Sequence, residues 1–304
     1  MASSGTERGR GRRLGLALAA PLALAAAVLA AEPRYAYGLR YLAWQWSSAR
    51  SGEVVAADGA RLHYVVAGHG PALVFLHGGG VDHGVFFASL PRFARDHRVV
   101  ALDTRGHGAS SRGTAALSYT LYADDVARVL AQLGITHAVL IGWSDGANTA
   151  LQLALDHPEA VCALVLMSAN ADPTGLRASV PPRPPDSVLA RLGHWLYRRW
   201  HDAPSPPARA AELHALWREL PRFGAADLAR VNVPTLLVGG EFDLVDPRHL
   251  ARMRARMPQA RLEILPGIGH GLPFEAPDRI NTLIADFLHG LPPDACAAPR
   301  RVAG

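Results

Sequence analysis

The chain has 304 residues, enough for one full-sized core, and a single domain carrying an insertion fits this length better than two equal domains. With 49% apolar and 19% charged residues it is globular and not disordered. The net charge of +5 sits mostly in the tails, where Arg8, Arg10, Arg12 and Arg13 face only Glu7, and Arg300 and Arg301 face Asp294. The body is left with little net charge, so no polyanion footprint exists there and a nucleic-acid partner is excluded.

In chain order, the N-terminal arginines precede an 18-residue apolar run, Leu14 to Ala31, broken only by Pro21. A basic segment before such a run reads as a secretory signal or an uncleaved membrane anchor, so residues 1–31 are expected to place the body outside the cytoplasm. Residues 32–52 form a membrane-proximal segment whose Tyr35, Tyr37, Tyr41, Trp44 and Trp46 suit a membrane interface or a helix packed on the domain. Membrane contact is thus expected through residues 14–46.

The body, residues 53–290, alternates strands and helices. Glu53 to Ala57 and Arg61 to Ala67 flank Asp58-Gly59 as a hairpin, and Ala72 to Leu76 and Arg98 to Leu102 are further strands. A helical pattern from Tyr122 to Leu133 ends at Gly134, followed by the strand Ala138 to Ile141 and a helix from Ala147 to His157. Val161 to Met167, Thr235 to Gly239 and Arg261 to Leu265 are strands, with helices near Arg248 to Met257 and Pro277 to His289. This order predicts an α/β fold with a mainly parallel twisted sheet covered by helices on both faces.

Between Ala169 and Arg230, nine prolines bracket two helical patterns, Val188 to Leu196 and Leu213 to Leu220, which predicts a helical cap over the site at about 169–230. Residues 291–304 read as a flexible tail. The two cysteines, Cys162 in a buried strand and Cys296 in that tail, are not expected to pair, and neither has zinc-site spacing.

Gly142-Trp143-Ser144-Asp145-Gly146 stands between a strand and a helix, the setting of a nucleophile elbow. The glycines let the backbone bend sharply so that the Ser144 hydroxyl projects, while the Asp145 N–H at the helix head is placed to stabilise an oxyanion. A serine hydroxyl needs a histidine base oriented by a carboxylate. His270 lies in the glycine-rich loop after the Arg261 strand, and Asp243 follows the Thr235 strand, preferred there over Glu241 and Asp246.

These segments, with His77-Gly78-Gly79, Asp103-x-Arg105-Gly106-His107-Gly108-x-Ser110 and Gly269-His270, resemble the α/β-hydrolase superfamily over roughly residues 53 to 290. The Trp-Ser-Asp elbow is similar to that of small bacterial hydrolases and amino-acid-ester hydrolases. The resemblance implies an α/β-hydrolase fold, a catalytic triad of Ser144, Asp243 and His270, and an oxyanion hole from the backbone N–H groups of Gly79 and Asp145. Two departures stand out: the chain has His-Gly-Gly-Gly without the Asp-Ser-Ala elbow of the hormone-sensitive-lipase group, and Ala147 replaces a second glycine after the elbow.

The resulting expectation is a cofactor-independent serine hydrolase, without a metal, that cleaves a small-molecule carboxylic ester through an acyl-enzyme. Amide or C–C bond hydrolysis, cofactor-free haloperoxidase chemistry and acyl transfer reuse the same triad and stay open, as does the oligomeric state. A non-catalytic binding module is disfavoured because all three triad residues are present. Asp145 and Trp143 are the candidate substrate contacts. The Asp145 carboxylate is read first as a helix-N-terminal cap and second as a partner for a substrate ammonium. His77, His107 and Asp103 are read as loop-stabilising residues.

Overall fold

The computed structural model describes residues 33–181, 207–292 and 295–296. The apolar run Leu14–Ala31 and the first helical pattern of the insertion, Val188 to Leu196, lie outside the described residues. Among the described residues no helix is long and apolar enough to cross a membrane.

Eight strands form one sheet: β1 (Arg50–Val55), β2 (Arg61–Ala67), β3 (Ala72–Leu76), β4 (Arg98–Leu102), β5 (Ala138–Trp143), β6 (Val161–Met167), β7 (Thr235–Gly240) and β8 (Ala260–Leu265). The order is β1-β2-β4-β3-β5-β6-β7-β8. β1 and β2 form the expected hairpin, although the first strand starts at Arg50 and not at Glu53. β2 pairs antiparallel with β4, and every later pairing is parallel.

Helices before, between and after the strands cover both faces: α1 (Pro33–Ser47), α2 (Leu90–Phe93), α3 (Tyr119–Gln132), α4 (Asp145–Asp156), α5 (Pro207–Glu219), α6 (Ala225–Arg230), α7 (Pro247–Arg256), α8 (Leu272–Glu275) and α9 (Pro277–His289). Because successive side chains point to opposite faces, one strand feeds two cores. Val74, Leu76 and Leu140 pack under α3, α4 and α7, whereas Leu73, Phe75 and Ile141 pack with α9 and α1. Every residue of β5, β6 and β7 is buried, as central parallel strands require.

One expectation changes here, and one open alternative closes. Cys162 and Cys296 form a disulfide, with Cα atoms 5.1 Å apart. Leu291 and Cys296 pack against the second core, which contains Cys162, so positions 295–296 are tied down and not part of a free tail. Residues 33–47 form a helix packed on the domain, the second of the two readings open for this segment; Tyr41 and Trp44 are buried in the second core, while Trp46 is 93% exposed.

Candidate active site

The turn from β5 into α4 carries Ser144 at φ 54°, ψ −119°, a conformation that non-glycine residues rarely adopt. The flanking glycines serve a purpose other than bending. A Cβ on Gly142 would meet the Gly146 carbonyl oxygen at 2.3 Å, and one on Gly146 would lie 1.9 Å from the Leu76 carbonyl oxygen. They allow strand and helix backbones to touch, while Ser144 itself takes the strained dihedral. The Ser144 N–H donates to the Met167 carbonyl at 2.8 Å, which locks the turn to β6.

The loops after β7 and β8 bring Asp243 and His270 to the same end of the sheet. Asp243 has no exposed surface. Its Oδ1 accepts from the Val245 N–H at 3.0 Å, and its Oδ2 from the Ser168 hydroxyl at 2.5 Å and the Gly240 N–H at 3.2 Å. His270 Nδ1 lies 2.6 Å from Asp243 Oδ1, and His270 Nε2 lies 3.1 Å from Ser144 Oγ. A carboxylate oxygen accepts, so the imidazole proton sits on Nδ1 and Nε2 is free to accept from the serine hydroxyl. The rejected carboxylates have other work: Glu241 accepts from the Gly267 N–H, and Asp246 caps α7 through the Arg248 N–H.

Ser168 was not anticipated from the sequence. It ends β6 at φ 53°, the second non-glycine residue with positive φ among those described. A serine after a buried strand carries no spacing signal, and its partner lies 75 residues away.

The glycines after β3 press on the elbow. A Cβ on Gly78 would sit 3.1 Å from the Ser144 Cβ, and one on Gly79 would collide with Asp145 Oδ2 and the Trp217 ring. The His77 ring braces this loop, with Nδ1 donating to the Gly78 carbonyl and Nε2 accepting from the Thr104 N–H. Trp143 is 5% exposed. Its indole N–H donates to the His270 carbonyl at 2.7 Å, and its ring packs against His270 and Phe274.

The Asp145 carboxylate is buried in the first turn of α4. Oδ1 accepts from the Tyr119 hydroxyl at 2.8 Å, and the Trp217 indole N–H reaches both oxygens at 2.9 Å. Burial pushes its pKa up, and the hydrogen bonds from Trp217 and Tyr119 offset only part of that. Trp217 belongs to α5, whose Leu216 packs on Tyr119 and Tyr122, so the described part of the insertion is joined to the elbow.

Behind the glycine loop, Asp103 holds three segments together. Its oxygens take His63 Nδ1 at 2.8 Å, His83 Nδ1 at 2.7 Å, and the N–H groups of His83 and Ala109. Burial works against the ionised carboxylate, but the hydrogen bonds from His63 and His83 hold its pKa below the usual range. For His83, burial opposes protonation, yet the hydrogen bond and charge of Asp103 raise the pKa. His63, His83 and Asp103 are the one set of potential metal donors gathered among the described residues. Four N–H donors fill the Asp103 oxygens, which is the pattern of a structural clamp. His107 was expected to steady its loop, and its Nδ1 lies 3.1 Å from the Arg105 carbonyl.

A serine at positive φ, a histidine touching it and a buried carboxylate behind that histidine stand together at one end of the sheet. The model of the alpha/beta hydrolase family matches residues 73–283, and the chain belongs to that family. It is 31% identical to a putative carbamate hydrolase, RutD, of a Caulobacter species, over 75% of this chain and 96% of the relative. It is 28% identical to the bifunctional esterase/perhydrolase DCH of Acinetobacter calcoaceticus, over 78% of this chain and 99% of that protein. Among solved structures it is similar to a bacterial membrane phospholipase A, with a TM-score of 0.68 and 25% identity, covering 92% of this chain and 98% of that one. The protein is an α/β-hydrolase-fold hydrolase.

Proposed function

We propose that this hydrolase is a cofactor-independent serine enzyme that cleaves a carboxylic ester through an acyl-enzyme. The observation that carries the reading is His270, which bridges Ser144 Oγ and Asp243 Oδ1 through its two ring nitrogens. Ser144 Oγ attacks the ester carbonyl while His270 Nε2 takes its proton. Asp243 keeps the second proton on Nδ1 and stabilises the imidazolium that forms. The N–H groups of Gly79 and Asp145 receive the developing oxyanion, the close packing of Gly78 and Gly79 on the elbow supporting that assignment. His270 returns its proton to the leaving alcohol and then activates the water that releases the acyl group.

An ester is favoured over the other bonds this triad can break by the names of two similar proteins, an esterase/perhydrolase and a phospholipase A. An amino-acid ester held by its ammonium on Asp145 is less favoured, because Tyr119 and Trp217 already occupy both carboxylate oxygens.

We place the catalytic body outside the cytoplasm, exported or anchored by residues 1–31. The support is the basic segment and apolar run, the Cys162–Cys296 disulfide, which oxidising compartments favour, and the likeness to a membrane protein over 92% of the chain.

The test is hydrolysis of p-nitrophenyl esters of increasing acyl length. Ser144→Ala is expected to lower kcat by about 10⁴-fold or more while the protein stays folded. Equal activity in both proteins would remove Ser144 from the mechanism, and no activity in the unaltered protein on any ester would redirect the reading to amides or C–C bonds.

A further inference from the structure

Helix α1 has two apolar faces, and the fold uses one. Tyr41 and Trp44 are buried against the domain, and Tyr37 packs edge-on against Phe87 and donates its hydroxyl to Asp278. On the opposite side, Leu39 is 60%, Leu42 55% and Trp46 93% exposed. At 100° per residue these three side chains fall within a stripe of about 60°, pointing away from the buried face. They account for three of the six large hydrophobic side chains exposed among the described residues, on a single helix. Exposed Arg40 lies about 100° round the helix from Leu39, on the Tyr37 side, with its guanidinium 5.7 Å above the Tyr37 ring. The helix sequence, Pro33 to Ser47, has no acidic residue.

We propose that this outer face is a lipid-binding surface. Leu39, Leu42 and Trp46 enter the boundary between headgroups and acyl chains, and Arg40 pairs with a lipid phosphate. A bilayer is the occupant favoured by the chain itself, since only Glu32 separates α1 from the apolar run Leu14–Ala31. Tryptophan, leucine and arginine without acids suit an interface, where an indole rests at headgroup depth and a guanidinium meets phosphate. A second copy of the chain suits it less, because three side chains fall short of the roughly 800 Å² per partner that a stable dimer buries.

The consequence reaches the active site. α1 lies against α2 and Phe87, on a segment that begins just after the glycines at 78–80. Asp82 and Asp103, at the site end of β3 and β4, lie close enough to raise the Tyr41 pKa further after burial has raised it. A bilayer on the outer face of α1 would therefore lie beside the end of the sheet that carries Ser144. This consequence for substrate choice, an ester borne by the membrane, rests on the serine-hydrolase reading; the lipid contact itself does not.

The experiment uses the full chain reconstituted with vesicles of equal parts phosphatidylcholine and phosphatidylglycerol, with and without bromine on the upper acyl carbons. Brominated lipid is expected to quench a component of the tryptophan emission that is absent in Trp46→Phe, a substitution at an exposed site outside the triad. Identical quenching in both proteins overturns the proposal, as does a Trp46 emission that responds to protein concentration and not to bromine. In a second arm, Leu39→Ser, Leu42→Ser and Trp46→Ser together are expected to slow hydrolysis of a bilayer-embedded ester about tenfold, with the soluble p-nitrophenyl rate unchanged. Quenching without hydrolysis of any ester would sink the enzyme reading and leave the surface standing. Hydrolysis without Trp46 quenching would do the reverse.

Discussion

The grouping of Ser144, Asp243 and His270 is legible in the sequence because each follows a strand and sits in a glycine-rich turn, and their chain order suggests the roles proposed for them. The groups that tune them are not legible. Ser168 reaches Asp243 Oδ2 across 75 residues, and Trp217 reaches Asp145 across 72, distances at which only the folded sheet dictates proximity. Ser168 is a positioning residue in the proposed mechanism: its hydroxyl fixes the carboxylate rotamer and shares the negative charge. In Ser168→Ala, Oδ2 keeps only the long Gly240 bond, and a charge-assisted hydrogen bond of about 1.5–3 kcal/mol is lost. We expect kcat to fall about tenfold with KM within about twofold. The less shared charge on Asp243 should also move the acid limb of the kcat/KM profile to higher pH. An unmoved limb would reduce Ser168 to a packing role.

Among the elements, the insertion is where pattern reading reached furthest and then stopped. The spacing of Leu213, Leu216, Trp217 and Leu220 predicts a helix, and α5 is one, with Leu213 and Leu216 buried. Periodicity treats Trp217 as one more apolar residue of that stripe, yet its indole N–H supplies the second donor to a buried carboxylate. Trp217→Phe keeps the ring and removes the donor. The expected loss is about 1.5–3 kcal/mol in stability at neutral pH. The pH dependence separates this from lost packing: burial raises the Asp145 pKa, and only the ionised form needs both donors. The deficit measured by denaturant unfolding should therefore shrink as pH falls towards the Asp145 pKa, whereas a packing defect would be the same at every pH.

For the molecule as a whole, strand–helix alternation gave the parallel sheet, since continuous apolar runs such as Val161–Met167 demand cover on both faces. It could not give the path of the chain after α9, which is why the Cys162–Cys296 bridge escaped it. That bridge closes a loop of 134 residues, and Cys296→Ala is expected to lower stability by about 2–4 kcal/mol, read as a lower denaturant midpoint that added reductant does not lower further.

Acid stability follows from the histidines behind the glycine loop. His107 is buried with Nε2 unpaired, and burial first, then the charge of His77, depresses its pKa to about 3. In the unfolded chain the ordinary histidine value of about 6.5 returns. Between those values the unfolded state holds one more proton at this site than the native state, so stability falls as pH falls, by up to about 1.4 kcal/mol per pH unit. His83 has the opposite shift: its contribution is complete below the unfolded value and is lost only as pH rises above it, so the two windows do not overlap. His97 and His249 are also depressed by burial and add to the same acid slope. His107→Gln, which cannot take up the proton, should therefore flatten the decline between pH 6.5 and 4.5 by about one proton's worth without abolishing it. Denaturant midpoints for both proteins across that range measure the difference directly, and parallel slopes would show that His107 is protonated equally in the folded and unfolded chains.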